Sequence, residues 1–157
     1  MVATNRKAID DFLDRKRLAV VGVSRNANDF SRMVFREFEK QGYDVVPVNP
    51  GAAELEGKRC FAHVGDIEPP VDAALLFTQS RDTATVVDEC VSANIHHVWM
   101  HRGAGGPGAV SEAAIAVCRE HAINFVAGEC PMMFLPNSIW FHRFHGLLRK
   151  IAGTYPN

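Results

Sequence analysis

The stretch that most constrains the fold is Arg17-Leu-Ala-Val-Val-Gly-Val-Ser24. It has the composition of a buried apolar strand, which breaks at Gly22 and Ser24 into a polar loop over residues 25–30. An amphipathic helix then begins near Ser31. In a strand–loop–helix unit of this kind, backbone N–H groups and the helix dipole point at the space over the loop. The stretch therefore predicts a phosphate-binding unit.

Strand patterns alternate with helix patterns along the rest of the chain, which implies right-handed crossovers and a mostly parallel sheet. The predicted strands cover residues 18–23, 43–48, 71–77, 97–100 and 123–126. The predicted helices cover residues 31–40, 80–93 and 111–121, with a leading helix within residues 1–16 and a C-terminal helix over 139–152. We therefore predict an α/β fold in one domain, residues 1–157. Its core is a Rossmann-like doubly wound parallel sheet of about five strands in the order 3-2-1-4-5.

Composition excludes several classes of function. The net charge of -1 argues against a dedicated nucleic-acid binder, and no apolar run approaches the ~20 residues of a membrane span. The N-terminus lacks the apolar core of a signal peptide. The four cysteines are scattered without a C-x-x-C pair, so we expect reduced thiols, a cytoplasmic location and no zinc site of ordinary spacing.

The ends of the first two strands discriminate between nucleotides. A dinucleotide fold usually shows G-x-G-x-x-G after the first strand and an acid at the end of the second. Here the first loop contains only Gly22, and the second strand ends in Val46-Pro-Val-Asn49-Pro50. The ribose hydroxyls of a nicotinamide cofactor favour Asp or Glu where this chain has Asn49, so NAD is disfavoured.

The segment after the first strand carries two cations, and the end of the second strand lacks the acid. The first loop carries Arg25, and Arg32 lies in the first turn of the helix. Two cations there suit an adenosine that bears an extra phosphate. The alternative is a solvated helix face, which we prefer for Arg36 and Lys40, the next members of the same stripe. Both interpretations stay open for Arg25 and Arg32.

Together these motifs resemble the CoA-binding domain family, which also forms the N-terminal nucleotide-binding part of succinyl-CoA synthetase alpha subunits and acyl-CoA synthetases. The resemblance runs from about Leu18 to Cys130. Five segments carry it: Val20-Val-Gly-Val-Ser24, Gly42-Tyr-Asp-Val-Val-Pro-Val-Asn-Pro50, Leu55-Glu-Gly57, Val71-Asp72 and Val98-Trp99.

The resemblance implies that coenzyme A lies across the strand ends. Residues after the first strand would lie against the phosphates: Gly22, Ser24 and Arg25, with Arg32 beside them. Residues at the end of the second strand would flank the adenine and ribose: Val48, Asn49 and Pro50. The pantetheine would run along Phe77, Thr78 and Gln79 toward His101, Arg102 and Gly103. The ligases also have a second domain with a phosphorylated histidine and an ATP-grasp partner, and the sequence supplies neither, so their reaction is not transferred.

Four further features of the sequence bear on chemistry. Cys130 follows the last strand, where a thiol could meet the thiol of coenzyme A, although an inert buried cysteine is the commoner case. His101 and Arg102 are either ligand contacts or a surface pair, and the loop over residues 103–108 is either an anion nest or a flexible connection. His142 and His145 lie off the apolar face of the C-terminal helix, so we expect no metal site there.

The sequence thus predicts a protein that binds coenzyme A or a short acyl-CoA as a non-catalytic carrier, sensor or regulator. We assign no catalytic residue. One alternative is an enzyme that acts on CoA thioesters through Cys130 or His101, and another is an NAD-binding redox sensor. A homodimer or an unknown protein partner is compatible with the sequence.

Overall fold

A parallel sheet organises residues 4–136, which are the residues that the computed structural model describes. In chain order its strands are β1 (Arg17–Val21) and β2 (Asp44–Val48), then, after a small antiparallel hairpin of β3 (Glu54–Leu55) and β4 (Lys58–Arg59), β5 (Ala73–Leu76), β6 (His97–Met100) and β7 (Asn124–Ala127). The helices are α1 (Arg6–Leu13), α2 (Phe30–Lys40), α3 (Ser80–Ser92) and α4 (Glu112–Glu120), with single 3-10 turns at Val64–Asp66 and Pro131–Met133.

The order of the strands across the sheet is β2-β1-β5-β6-β7, and every neighbouring pair is parallel. A parallel bridge between Val48 and Phe61 adds one more extended piece outside β2. This piece follows β2 and precedes β5 in the chain, so it counts as the third strand if the β3–β4 hairpin is set aside. With it included, the strand order begins 3-2-1-4-5, which is the predicted doubly wound pattern. The segment predicted as the third strand, residues 71–77, forms β5 and lies beside β1 rather than outside β2. The Rossmann-like α/β class is confirmed, and the order reverses between β1 and β5.

The two faces of the sheet are covered by different helices because side chains of a strand alternate between faces. On β1, Leu18 and Val20 pack with α1 and α2, whereas Ala19 and Val21 pack with α3 and α4. Coverage of both faces explains why the strands are apolar from their second residue onward rather than alternating with polar residues. It also leaves the strand ends and their loops as the part of the sheet that can hold a ligand.

Local signals explain the helix boundaries. The side chains of Asn5, Asp29 and Ser111 accept hydrogen bonds from the first turns of α1, α2 and α4. The cap at Asp29 starts α2 one residue earlier than predicted. No helix within residues 4–136 combines the length and the apolar character that crossing a membrane requires. The predicted C-terminal helix, with His142 and His145, lies outside the described residues.

Candidate ligand-binding site at the carboxyl edge of the sheet

The loop after β1 turns against the end of β5 at Gly22. The Gly22 backbone has φ +86°, and a Cβ there would lie 2.9 Å from both the carbonyl carbon and the carbonyl oxygen of Phe77. The Gly22 N–H donates to the Val48 carbonyl at 2.9 Å, and the Phe77 N–H donates to the Val21 carbonyl at 2.8 Å. The ends of β1, β2 and β5 are thus tied together where the strand order reverses, which is the usual ligand position in such sheets.

The loop after β1 presents backbone donors. The N–H groups of Ser24 and Asn26 are occupied, by Ser31 Oγ at 2.9 Å and by Ser24 Oγ at 3.1 Å. The N–H groups of Val23, Arg25 and Ala27 form no hydrogen bond within the described part of the chain. Val23 is fully buried, and buried N–H groups are nearly always paired. The loop therefore has spare donors of the kind that phosphate oxygens accept from.

The two arginines of this region have different environments. Arg32 is buried: its Nε donates to Glu56 Oε1 at 2.6 Å, and its Nη1 donates to the carbonyls of Ser24 and Arg25 at 3.1 and 3.4 Å. Arg25 is exposed, and a Cβ at Gly51 would lie 3.8 Å from its Nε, so its side chain extends over the loop after β2. Of the two cations, Arg25 is therefore the one that is exposed to a bound phosphate.

Asn49 fastens the loop after β2 to the loop after β1. Its Nδ2 donates to the Val23 carbonyl at 2.8 Å, and its Oδ1 accepts from the Gly51 N–H at 2.7 Å. Val48 is buried in the core, whereas Asn49 is half-buried and Pro50 is exposed. Of the three residues predicted around the adenine and ribose, Asn49 and Pro50 therefore offer surface to a ligand, and Val48 supports them from below.

An aromatic cluster lies at the ends of β5 and β6. The His101 ring is 4.8 Å from the Phe77 ring and 5.2 Å from the Phe30 ring, measured between centroids. His101 is 8% exposed, and burial lowers the pKa of its imidazole to about 4. Its ring nitrogens form no hydrogen bond to any residue between 4 and 136. His101 is thus a neutral, buried polar group beside the candidate site. The sequence did not predict that Phe30 contacts this cluster. The only indication was that an aromatic residue stands at the start of α2.

The glycine-rich loop after β6 forms a cleft with the start of α3. The cleft has a volume of about 430 Å³ and is lined by Thr78, Gln79, Ser80, Gly103 and residues 105–108. At Gly108 a Cβ would lie 2.5 Å from the His101 carbonyl oxygen, so only glycine permits the close return of the loop. Arg102 is exposed, and its Nε donates to the Gly106 carbonyl at 3.0 Å. In the first turn of α3, the Asp82 N–H donates to the Gln79 carbonyl at 2.8 Å, whereas the N–H groups of Ser80 and Arg81 have no acceptor within residues 4–136 and give this cleft donors.

Of the four cysteines, Cys60 contacts the loop after β2, because its thiol donates to the Asn49 carbonyl at 3.6 Å. Cys130 is half-buried and packs with the cluster under α1 and α2, and burial raises the pKa of its thiol. Cys90 and Cys118 are fully buried, and burial raises their pKa values to about 12 and about 11. Within residues 4–136, no three His, Cys, Asp or Glu side chains are grouped so that they could hold a metal ion.

Comparison with known proteins gives the same family as the sequence motifs. The CoA binding domain family matches residues 16–136. The uncharacterised protein YneT of Bacillus subtilis is 28% identical over 127 residues, which are 80% of this chain and 90% of that protein. The alpha subunit of the ADP-forming acetate–CoA ligase II of Pyrococcus furiosus is 29% identical over 83 residues, 52% of this chain and 18% of that subunit. A solved hypothetical protein from Pyrococcus horikoshii OT3 superposes with a TM-score of 0.74 at 26% identity, covering 82% of this chain and 87% of that one.

Proposed function

We propose that this chain, which belongs to the CoA binding domain family, binds coenzyme A or a short acyl-CoA across the carboxyl ends of β1, β2, β5 and β6. The observation that carries the proposal is the loop after β1. Its N–H groups at Val23, Arg25 and Ala27 have no partner among the described residues, and the exposed Arg25 stands beside them. Spare N–H donors next to a free guanidinium suit a diphosphate with one further phosphate.

The other parts of the ligand lie against the loops at the ends of the strands. Gly22 and Ser24 shape the phosphate loop, and Asn49 and Pro50 flank the adenine and ribose. The pantetheine runs along Phe77, Thr78 and Gln79 into the cleft below Gly103. His101, buried beside that path, and Arg102 stand toward its far end.

The ligand is carried or sensed rather than transformed. Burial raises the pKa of the Cys130 thiol, so the thiolate that a nucleophile requires is disfavoured. The ligase relatives share only a small part of their length with this chain, 18% in the alpha subunit, so their reaction does not transfer. NAD fits poorly because Asn49 stands at the end of β2 with its amide already bonded to Val23 and Gly51. We place the protein in the cytoplasm, where its cysteines stay reduced.

Thermal melting with added ligands tests the proposal. Coenzyme A at a hundredfold excess over its dissociation constant should stabilise the fold by about 2.7 kcal/mol, and NAD at the same concentration should do much less. Mass spectrometry of small molecules released from the purified protein on denaturation identifies any acyl group. A melting temperature that rises with NAD and is unchanged by coenzyme A would contradict the proposal.

A further inference from the structure

We infer that Arg32 is a positioning residue, which orients the Ser24–Arg25 peptide so that the Arg25 N–H faces a bound phosphate. This inference rests on the proposed function, and it changes the role of Arg32 from a direct phosphate ligand to a support. Arg32 is 8% exposed, and its guanidinium already bonds the carboxylate of Glu56 and two backbone carbonyls. Its Nε and Nη1 are thus occupied within the protein, and its charge faces a carboxylate that Arg36 shares.

The geometry of the peptide bond carries the argument. The Ser24–Arg25 bond is trans, so its C=O and N–H groups point in opposite directions. The Ser24 carbonyl accepts from Arg32 Nη1 at 3.1 Å, on the side of α2. The Arg25 N–H therefore points away from the guanidinium, and it has no acceptor within residues 4–136.

The neighbouring peptide is held in the same way. The Arg25 carbonyl accepts from the same Nη1 at 3.4 Å, and the Asn26 N–H donates to Ser24 Oγ at 3.1 Å. Two successive peptides are thus anchored by one guanidinium and one hydroxyl. A fixed donor binds an oxyanion more tightly than a mobile one, because less conformational freedom is lost on binding.

The hairpin of β3 and β4 holds the guanidinium in place. Glu56 lies at its turn with φ 54°, and its Oε1 accepts from Arg32 Nε at 2.6 Å and from Arg36 Nη2 at 2.7 Å. Hydrogen bonds from Arg36 and Arg32 lower the pKa of this carboxyl, so it stays charged. Arg36 shares the carboxylate but bonds no carbonyl of the loop after β1 among the described contacts. It is therefore the matched control for Arg32.

The test compares Arg32→Met with Arg36→Met. Calorimetric titration uses coenzyme A, 3′-dephospho-coenzyme A and pantetheine, which lacks both the diphosphate and the extra phosphate. We expect Arg32→Met to weaken the first two ligands equally, by about tenfold, the equivalent of one oriented hydrogen bond. Pantetheine binding should stay unchanged, and Arg36→Met should change none of the three by more than about twofold, as befits an exposed ion pair.

A second arm needs no ligand. ¹⁵N relaxation of the free protein should show increased fast motion at residues 24–26 in Arg32→Met and not in Arg36→Met. Arg32→Lys is the substitute variant if Arg32→Met does not fold. It keeps a cation beside Glu56 but loses the planar guanidinium, so it should show the ligand pattern expected of Arg32→Met.

Three results would overturn the inference. Arg32→Met that weakens coenzyme A far more than the dephospho ligand makes Arg32 a direct contact of the extra phosphate. Equal losses in Arg32→Met and Arg36→Met reduce its role to the shared ion pair. Unchanged relaxation at residues 24–26 shows that Arg32 does not fix the loop. If the unmodified protein binds none of the three ligands, the proposed function fails, and the relaxation contrast alone then decides the role of Arg32.

Discussion

Replacing Gly22 by alanine tests whether the close approach of the β1 loop to β5 builds the site. Two costs add at this position. The backbone has φ +86°, where a side chain costs about 1–2 kcal/mol, and the new Cβ would lie 2.9 Å from the backbone of Phe77. Backbone atoms do not move aside as a flexible side chain does, so this contact adds the destabilisation typical of overpacking, about 1–3 kcal/mol. Gly22→Ala should lower the free energy of unfolding by about 2–5 kcal/mol in total.

Gly42→Ala separates the two costs. Gly42 has a similar φ of +91°, but a Cβ there would meet nothing within 4 Å. It should lose only the conformational part, about 1–2 kcal/mol. Urea unfolding measures both variants, and titration with coenzyme A measures binding, which should weaken in Gly22→Ala and stay unchanged in Gly42→Ala. Equal losses of stability, with equal affinities, would refute the view that contact with Phe77 constrains this position.

Three more results are expected. Burial lowers the pKa of His101 from 6.5 to about 4. As the pH falls from 6.5 to about 4, the unfolded chain takes up a proton at His101 and the folded chain does not, so the free energy of unfolding should fall by about 3 kcal/mol. A His101→Gln variant whose urea unfolding has the same pH dependence as that of the unmodified protein would contradict this. Burial raises the pKa of the Cys130 thiol and shields Cys90 and Cys118, so oxidised coenzyme A should form little mixed disulfide with any of the three, and mass spectrometry that finds modification at Cys130 alone would favour the alternative that acts through this thiol. Arg25→Ala should cost coenzyme A about 1.5–3 kcal/mol of binding free energy and the dephospho ligand less; equal losses in calorimetry would move Arg25 to the diphosphate.

The fold was largely predictable because buried parallel strands are continuous apolar runs. The strand predicted at residues 97–100 has the bounds that the structure gives, and the helix predicted from residue 111 begins at its N-cap Ser111. Strand order was harder, because pairing depends on which runs meet in space. Residues 71–77 form a strand as expected, but the short piece at Phe61, with one bridge to Val48, takes the outer place.

The site was predictable as a set of loops but not as a set of contacts. Parallel strands bring their carboxyl ends to one edge, so the loops after β1, β2, β5 and β6 had to be neighbours. The hydrogen bond between Arg32 and Glu56 joins residues 24 positions apart. Glu56 lies in the turn between β3 and β4, a hairpin that the sequence pattern did not predict. The contact of His101 with Phe30 likewise joins a strand end to the start of a distant helix. Such pairs follow from packing, which local pattern does not encode.

Burial divides the two arginines of the phosphate loop between separate tasks. Arg25 is exposed and forms no side-chain hydrogen bond or ion pair with residues 4–136, so its charge is available to a ligand. Arg32 is buried, pairs with Glu56 and donates to the carbonyls of Ser24 and Arg25, which is the basis for the positioning role that we propose for it. Under the proposed function, recognition of the anion depends on oriented N–H groups and on Arg25, whose side chain bonds no residue between 4 and 136. If the chain binds coenzyme A as we propose, that arrangement explains how a protein with a net charge of -1 holds a highly charged ligand.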